Sequence, residues 1–285
     1  LSPTISSESD LDSVDVGQSV ILSASETPNK SDQIPSSGFS WDTDSDGVND
    51  VNGVSTEQSW PEPGNYSVRL SVTSTDSRSA STTRTIAVSD ISPPTVSMSP
   101  SGQITKGFGE ELSVSATFTD NWGVESIDWL FDGSIVLSNY TITEPISTLS
   151  IQVSDGYSAG EHVASIIVTD KSGISTRQDV TVIFIDVSAP VISPYDGQIE
   201  VEGGDPTILQ IFAQDNQSEG LDYTWIFEQG TENEIQFSGP QVIYEFDSEG
   251  PTSVVCRVQN DAGLSSYAEI PVSYTHLTLP TTWTV

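Results

Sequence analysis

Apolar and polar residues alternate along much of the chain. Residues 66–72 set Tyr66, Val68, Leu70 and Val72 against Ser67, Arg69 and Ser71. That is the two-residue period of a strand with one apolar face. Residues 162–168 repeat it with His162, Ala164, Ile166 and Val168, and residues 252–258 with Thr252, Val254, Cys256 and Val258. Short apolar runs at 19–22, 112–118 and 208–212 predict further strands, separated by clusters of Gly, Pro, Asn, Asp and Ser. No stretch of a dozen residues carries a helical period. The pattern predicts an all-β chain of sandwich type.

Internal repetition sets the domain organisation. Trp41, Trp129 and Trp225 stand 88 and 96 residues apart (129 − 41 and 225 − 129). Gly64, Gly160 and Gly250, each opening an alternating segment, stand 96 and 90 apart. The segments D-I-S-P-P-T-V-S from Asp90 and D-V-S-A-P-V-I-S from Asp186 are again 96 apart. Three landmarks with one period predict three units, 1–91, 92–187 and 188–273, joined by linkers with prolines at 93–94 and 190. Proline fixes φ and stiffens such joints.

In unit 1 the sequence F-S-W-D-T-D-S-D-G-V-N-D-V-N-G is followed by S-W-P-E-P-G-N-Y-S-V-R-L-S-V-T-S. Together they resemble a PKD (polycystic kidney disease) domain. Unit 3 resembles the same family more distantly through Trp225-Ile226-Phe227 and Gly250, with Thr252 where the family has Tyr. Unit 2 is similar to bacterial Ig-like domains through T-D-N-W-G-V-E-S-I-D-W-L-F-D-G and A-G-E-H-V-A-S-I-I-V-T-D-K-S-G, with His162 at the Tyr position. The resemblances imply three tandem immunoglobulin-like β-sandwiches. They also imply extracellular, non-catalytic modules of surface or secreted proteins. At the other end, V-S-Y-T-H-L-T-L-P-T-T (272–282) resembles a translated sequencing-library adaptor. On that reading 274–285 is a non-native tail, His276 and Trp283 carry no function, the natural chain continues past about Ser273, and bulk-sequenced DNA is the source; the other reading is a natural last strand followed by a tail. Leu1 in place of Met implies a removed signal peptide or an internal fragment.

Charge narrows the partners. With 41 acidic and 8 basic residues the net charge is −33, and the basic residues are scattered. Electrostatic binding to nucleic acid or to an anionic membrane needs clustered Lys and Arg, so both are excluded as partners. No apolar run approaches the ~20 residues of a membrane span. One cysteine excludes an intramolecular disulfide. An acidic surface suits a saline or calcium-containing medium, where counter-ions screen self-repulsion.

The sharpest chemical motif is Asp42-Thr43-Asp44-Ser45-Asp46-Gly47-Val48-Asn49-Asp50. Carboxylates at positions 1, 3, 5 and 9, a glycine at 6 and a carbonyl at 7 are the spacing of a calcium loop. The expected ligands are Asp42, Asp44, Asp46, the Val48 carbonyl and Asp50, with Ca2+ as cofactor. Position 12 is Gly53 rather than the bidentate Glu of an EF-hand, and no helices flank the loop. A solvated Asp-rich turn is the other reading. Asp120, Asp155 and Asp170 could meet at one end of unit 2, while Asp90 and Asp186 sit at the joints, where a calcium ion would add rigidity.

His162 is the one histidine outside the adaptor-like tail, and without a second His no zinc site of ordinary composition is assembled. His162 is expected to fill the slot of Tyr66, Cys256 to replace Leu70 as a buried small apolar side chain, and Trp41, Trp129 and Trp225 to plug the cores. Trp122, in the turn T-D-N-W-G, either packs at a unit junction or is an exposed ligand contact, with Tyr140 and Tyr157 as companions for a polymer. The whole reads as a non-enzymatic stalk or adhesion module of a prokaryotic cell-surface or secreted protein. Its partners are other domains of a larger chain and a surface protein or polysaccharide. The alternatives are polymer- or carbohydrate-binding accessory modules of a secreted hydrolase, and a signalling ectodomain.

Overall fold

A computed structural model describes residues 1–28, 33–154, 156–194, 199–202, 204, 206–218, 220–246 and 253–275. Strands β1 (Val14–Asp15), β2 (Val20–Ser23), β3 (Phe39–Asp42), β4 (Val51–Asn52), β5 (Ser55–Gln58), β6 (Gly64–Thr73) and β7 (Ser79–Ser89) come first. They form the sheets β1-β7-β6-β3-β4 and β2-β5. The alternation in β6 turns Val68, Leu70 and Val72 into a core with Val20, Leu22, Trp41 and Ile86, all fully buried. Fully burying one such apolar side chain stabilises by about 1.5–3 kcal/mol. Trp41 keeps its indole N–H satisfied by donating to the Gly53 carbonyl at 2.9 Å.

Next come β8 (Thr95–Ser99), β9 (Ile104–Gly107), β10 (Glu111–Thr119), β11 (Val124–Phe131), β12 (Ser134–Asn139), β13 (Ile146–Gln152), β14 (Gly160–Asp170) and β15 (Ser175–Ile185). Their sheets are β13-β10-β8 and β12-β11-β14-β15-β9. The last group is β16 (Val191–Ile192), β17 (Ile199–Glu202), β18 (Pro206–Gln210), β19 (Ala213–Gln214) and β20 (Leu221–Phe227). It ends with β21 (Ile235–Ser238), β22 (Gln241–Glu245), β23 (Ser253–Asn260) and β24 (Ser265–Thr275). The sheets here are β16-β19, β17-β24-β23-β20-β21 and β18-β22. Each named sheet thus draws its strands from 14–89, from 95–185 or from 191–275.

The repeat is a repeat of register. Trp41 pairs with Leu70, Trp129 with Ile166 and Trp225 with Cys256. Four residues past each partner, the same hairpin turn closes. Ser74 N–H donates to the Arg78 carbonyl (2.9 Å), Asp170 N–H to Ile174 (3.0 Å) and Asn260 N–H to Leu264 (3.0 Å). Residues 74, 170 and 260 are therefore one structural position.

By internal contacts the chain divides into two compact units. One holds Leu1–Ser101, Val114–Leu149 and Val163–Val180; the other holds Gly102–Ser113, Ser150–His162 and Thr181–Val285. The division cuts β10, β13, β14 and β15. The run expected at 208–212 forms a strand two residues earlier, at Pro206–Gln210, and leaves Phe212 64% exposed. Gly250, Thr252, His276 and Trp283 lie outside the described residues, while β24 carries backbone pairing through Tyr274 and Thr275. Among the described residues no helix is long and apolar enough to cross a membrane.

Candidate metal centres

The acidic loop is the β3–β4 connection. Its closure begins with backbone: Asp50 N–H donates to the Trp41 carbonyl at 2.8 Å, and Ser40 and Trp41 pair with Asn52 and Val51. Gly47 takes φ +90, a conformation costly for any residue with a Cβ. Asp42, at the end of β3, is 3% exposed; its Oδ2 accepts the Gly47 N–H at 3.1 Å, while its buried Oδ1 has no hydrogen-bond partner. Asp50 Oδ2 accepts both the N–H (2.7 Å) and the hydroxyl (2.8 Å) of Thr43, and these bonds hold its carboxyl below the usual carboxylate range.

Asp42, Asp44 and Asp50 each bring a carboxylate oxygen within 4.8 Å of the others. Asp46 does not join them: its Oδ1 is taken by the Val48 N–H at 2.7 Å. Val48 itself is 64% exposed. Gly53, where an EF-hand places its twelfth-position ligand, is occupied structurally. Its N–H donates to the Phe39 carbonyl, and its own carbonyl receives the Trp41 indole. The three carboxylates offer a divalent cation a hard, all-oxygen site.

A second acidic group forms where the joint residues were expected. Asp120 and Asp170 meet Asp90, again within 4.8 Å of one another. Asp155 lies outside the described residues. Burial first, and then the neighbouring charge of Asp120, push the Asp90 carboxyl above its ordinary range. Asp186 takes part in a different cluster, with Asp215 and Asn260.

Of the two readings of Trp122, exposed contact or packed residue, the structure favours packing: it is half-buried against the core built by Val20, Leu22 and Trp41. The cause is local: Asp120 Oδ2 accepts the N–H groups of Trp122 and Gly123, both at 2.8 Å, folding the turn back. The Lys171 ammonium lies 5.9 Å from the indole centroid. Beside it, Asn121 Nδ2 donates to Asp15 Oδ1 (3.1 Å) and to the Val16 carbonyl (3.0 Å). Nothing in the linear pattern announced that anchor.

His162 fills the slot of Tyr66 and does its work. The Tyr66 hydroxyl donates to the Glu62 carbonyl at 2.9 Å, and His162 Nε2 lies 2.8 Å from the Ser158 carbonyl, again four residues upstream. Such a reach-back bond is the tyrosine corner of immunoglobulin-like sandwiches. The imidazole also lies 4.6 Å, centroid to centroid, from Phe184. Cys256 is fully buried opposite Trp225, and that burial pushes its thiol up to about 12.

No family model and no curated sequence relative matches the chain. Solved structures do. A titin segment, domains I67–I69 in an E-to-A mutated variant, aligns with TM-score 0.50 and 12% identity, over 96% of this chain and 99% of that one. The N-terminal four Ig domains of Dscam1 isoform 6.9 align with TM-score 0.43 and 14% identity, over 95% of this chain and 73% of that one. A structure of fibronectin(III)-like modules of Clostridium thermocellum CbhA aligns with TM-score 0.30 and 19% identity, over 64% and 95%. The titin likeness speaks to fold, and it agrees with the sheets described above: this chain is a tandem of immunoglobulin-like β-sandwiches.

Proposed function

We propose that the chain is a non-catalytic stalk or adhesion segment of a larger extracellular or cell-surface protein. Its modules are 1–91, 92–187 and 188–273, and the first carries calcium on Asp42, Asp44 and Asp50. The observation that carries the reading is the succession of immunoglobulin-like sheets along the chain. The PKD-like motifs of unit 1 and the net charge of −33 point the same way. Calcium is supported by buried Asp42, whose Oδ1 has no hydrogen-bond partner and whose carboxylate lies within 4.8 Å of those of Asp44 and Asp50. Partners are further domains of the same chain and a surface protein or polysaccharide.

An accessory polymer-binding role in a secreted hydrolase would call for a row of exposed aromatics. Tyr140, at 73% exposure, answers that description, but Tyr157 is half-buried and packs its ring against Phe184. The test is thermal melting of the whole chain in millimolar calcium and in chelator, for the wild type and Asp44→Ala. A ligand that binds only the folded state adds about 2.7 kcal/mol at 100 times its dissociation constant. The calcium-dependent gain should shrink in Asp44→Ala. An equal gain in both proteins refutes the loop as a calcium site.

A further inference from the structure

The chain contains one polar constellation in two versions. In the first, Asp90 of the β7–β8 linker meets Asp120 of the β10–β11 turn and Asp170 at the end of β14. In the second, Asp186 of the β15–β16 linker meets Asp215 and Asn260, the latter at the end of β23. The members correspond one to one. Asp90 and Asp186 open the matching linkers. Asp120 Oδ2 caps the N–H groups two and three residues on, and Asp215 Oδ1 does the same for Gln217 (2.9 Å) and Ser218 (3.3 Å). Asp170 and Asn260 share the hairpin position. Each uses Oδ1 to accept the N–H four residues on, from Ile174 and from Leu264, both at 2.8 Å.

They differ at the hairpin position and in what reaches the linker carboxylate: Ser218 Oγ (3.0 Å) and the Ser188 N–H (2.9 Å) donate to Asp186, whereas Gly123, in the place of Ser218, has no hydroxyl to give Asp90. Asn260 Nδ2 donates to Asp186 Oδ2 (2.8 Å), to Asp215 Oδ2 (3.0 Å) and to the Ser188 carbonyl (2.9 Å). The amide thereby bridges the two carboxylates. Asp170 has an oxygen, Oδ2, in place of that nitrogen, and an ionised carboxylate only accepts. The result is four buried oxygens that no donor meets in hydrogen-bond geometry: Asp90 Oδ1 and Oδ2, Asp120 Oδ1 and Asp170 Oδ2; the Ser172 hydroxyl and the Ser92 N–H favour the Asp90 charge only weakly beside its burial. Asp90 is 6% exposed and Asp170 0%. None of the ion pairs among the described residues reaches them. Buried polar groups left without partners call for an explanation, an ion among them.

We propose that Asp90, Asp120 and Asp170 hold a calcium ion, which does for this triad what the Asn260 amide does for its counterpart. The ligand class follows from the donors: carboxylate oxygens alone, from three separate segments, suit a hard cation with flexible coordination, and magnesium's strict octahedron suits them less. The site is distinct from the Asp42 loop and does not depend on it. The ion ties the β7–β8 linker to the β10–β11 turn and the β14–β15 hairpin.

The experiment is a calorimetric titration of the full chain with calcium chloride, in the wild type, Asp170→Asn, Asn260→Asp and Asp44→Ala. The wild type should bind one calcium more per chain than Asp170→Asn, and Asp170→Asn should melt at the same temperature in chelator as in calcium once Asp44→Ala is added. Asn260→Asp, which recreates the carboxylate triad, should gain one calcium. Unchanged stoichiometry in Asp170→Asn overturns the proposal. If that variant does not fold, Asn260→Asp decides, and no added calcium overturns it. Stabilisation by acid in place of calcium would mean a shared proton and also overturns it. Loss of a site in Asp44→Ala alone speaks only to the β3–β4 loop, so the two claims fail separately.

Discussion

Cys256 gives the cleanest single-site probe, because it is the chain's one cysteine. It lies on β23 with no exposed surface, opposite Trp225. Burial pushes the thiol from 9.0 up to about 12. The thiolate is the nucleophile in disulfide exchange, so at pH 8 that shift cuts the reactive fraction roughly a thousandfold, before any loss of access. An aromatic disulfide reagent should therefore label the native chain at least about a thousand times more slowly than the chain unfolded in guanidinium. Labelling that begins only with denaturant would report opening around β23. Labelling of the native protein within about tenfold of the unfolded rate refutes the burial argument. The same shift has a pH signature. Above 9.0 the unfolded thiol ionises while the folded one keeps its proton to about 12. Stability is thus whole below 9 and declines as pH rises from 9 towards 12. Cys256→Ala should flatten that alkaline decline, as seen in denaturant midpoints across the range.

Two further outcomes follow from the packing. His162→Tyr should leave stability within about 1 kcal/mol, since Tyr66 makes the same reach-back bond, whereas His162→Ala should cost about 2–4 kcal/mol by emptying the slot beside Phe184. Equal losses in urea unfolding would show that the corner bond has no role. Trp129 donates its indole N–H to Ser147 Oγ at 3.0 Å. A double-mutant cycle of Trp129→Phe and Ser147→Ala should return a coupling of about 0.5–1.5 kcal/mol, and strict additivity would refute the bond.

The strands were legible because an apolar face imposes a two-residue period that no other structure tolerates. Val68, Leu70 and Val72 declared β6, and the register Trp41↔Leu70 recurs as Trp129↔Ile166 and Trp225↔Cys256. The loop was legible in part. Spacing brings Asp42, Asp44 and Asp50 together, but the direction of Asp46 is set by the Val48 N–H, which spacing does not encode. Gly53 shows the same limit: its backbone is already engaged by Phe39 and Trp41. Trp122 was read from its turn, yet its burial depends on the caps made by Asp120. Asp120 and Asp170 could be expected to meet, but the third member, Asp90, comes from a linker whose path only the fold determines.

The one structural position shared by residues 74, 170 and 260 shows why composition alone misleads. The Ser74 hydroxyl bonds the Arg78 carbonyl within its own hairpin at 3.1 Å. Asn260 brings in an amide that bridges two carboxylates, and Asp170 brings in a third carboxylate. Within 4.8 Å, three ionised carboxylates repel by about 3 kcal/mol per pair at an effective dielectric near 20. Over three pairs that is about 10 kcal/mol, comparable with the whole net stability of a typical domain, about 5–15 kcal/mol. Two of the three side chains are tethered against swinging apart. Asp170 Oδ1 is held by the Ser172 N–H, the Ser172 hydroxyl and the Ile174 N–H, and Asp120 Oδ2 by two further N–H groups. A single proton can bridge only one pair of oxygens and leaves the others facing one another. A divalent cation can take one oxygen from each of the three carboxylates at once, and that asymmetry is why the triad reads as a metal site rather than as another acidic patch on an acidic chain.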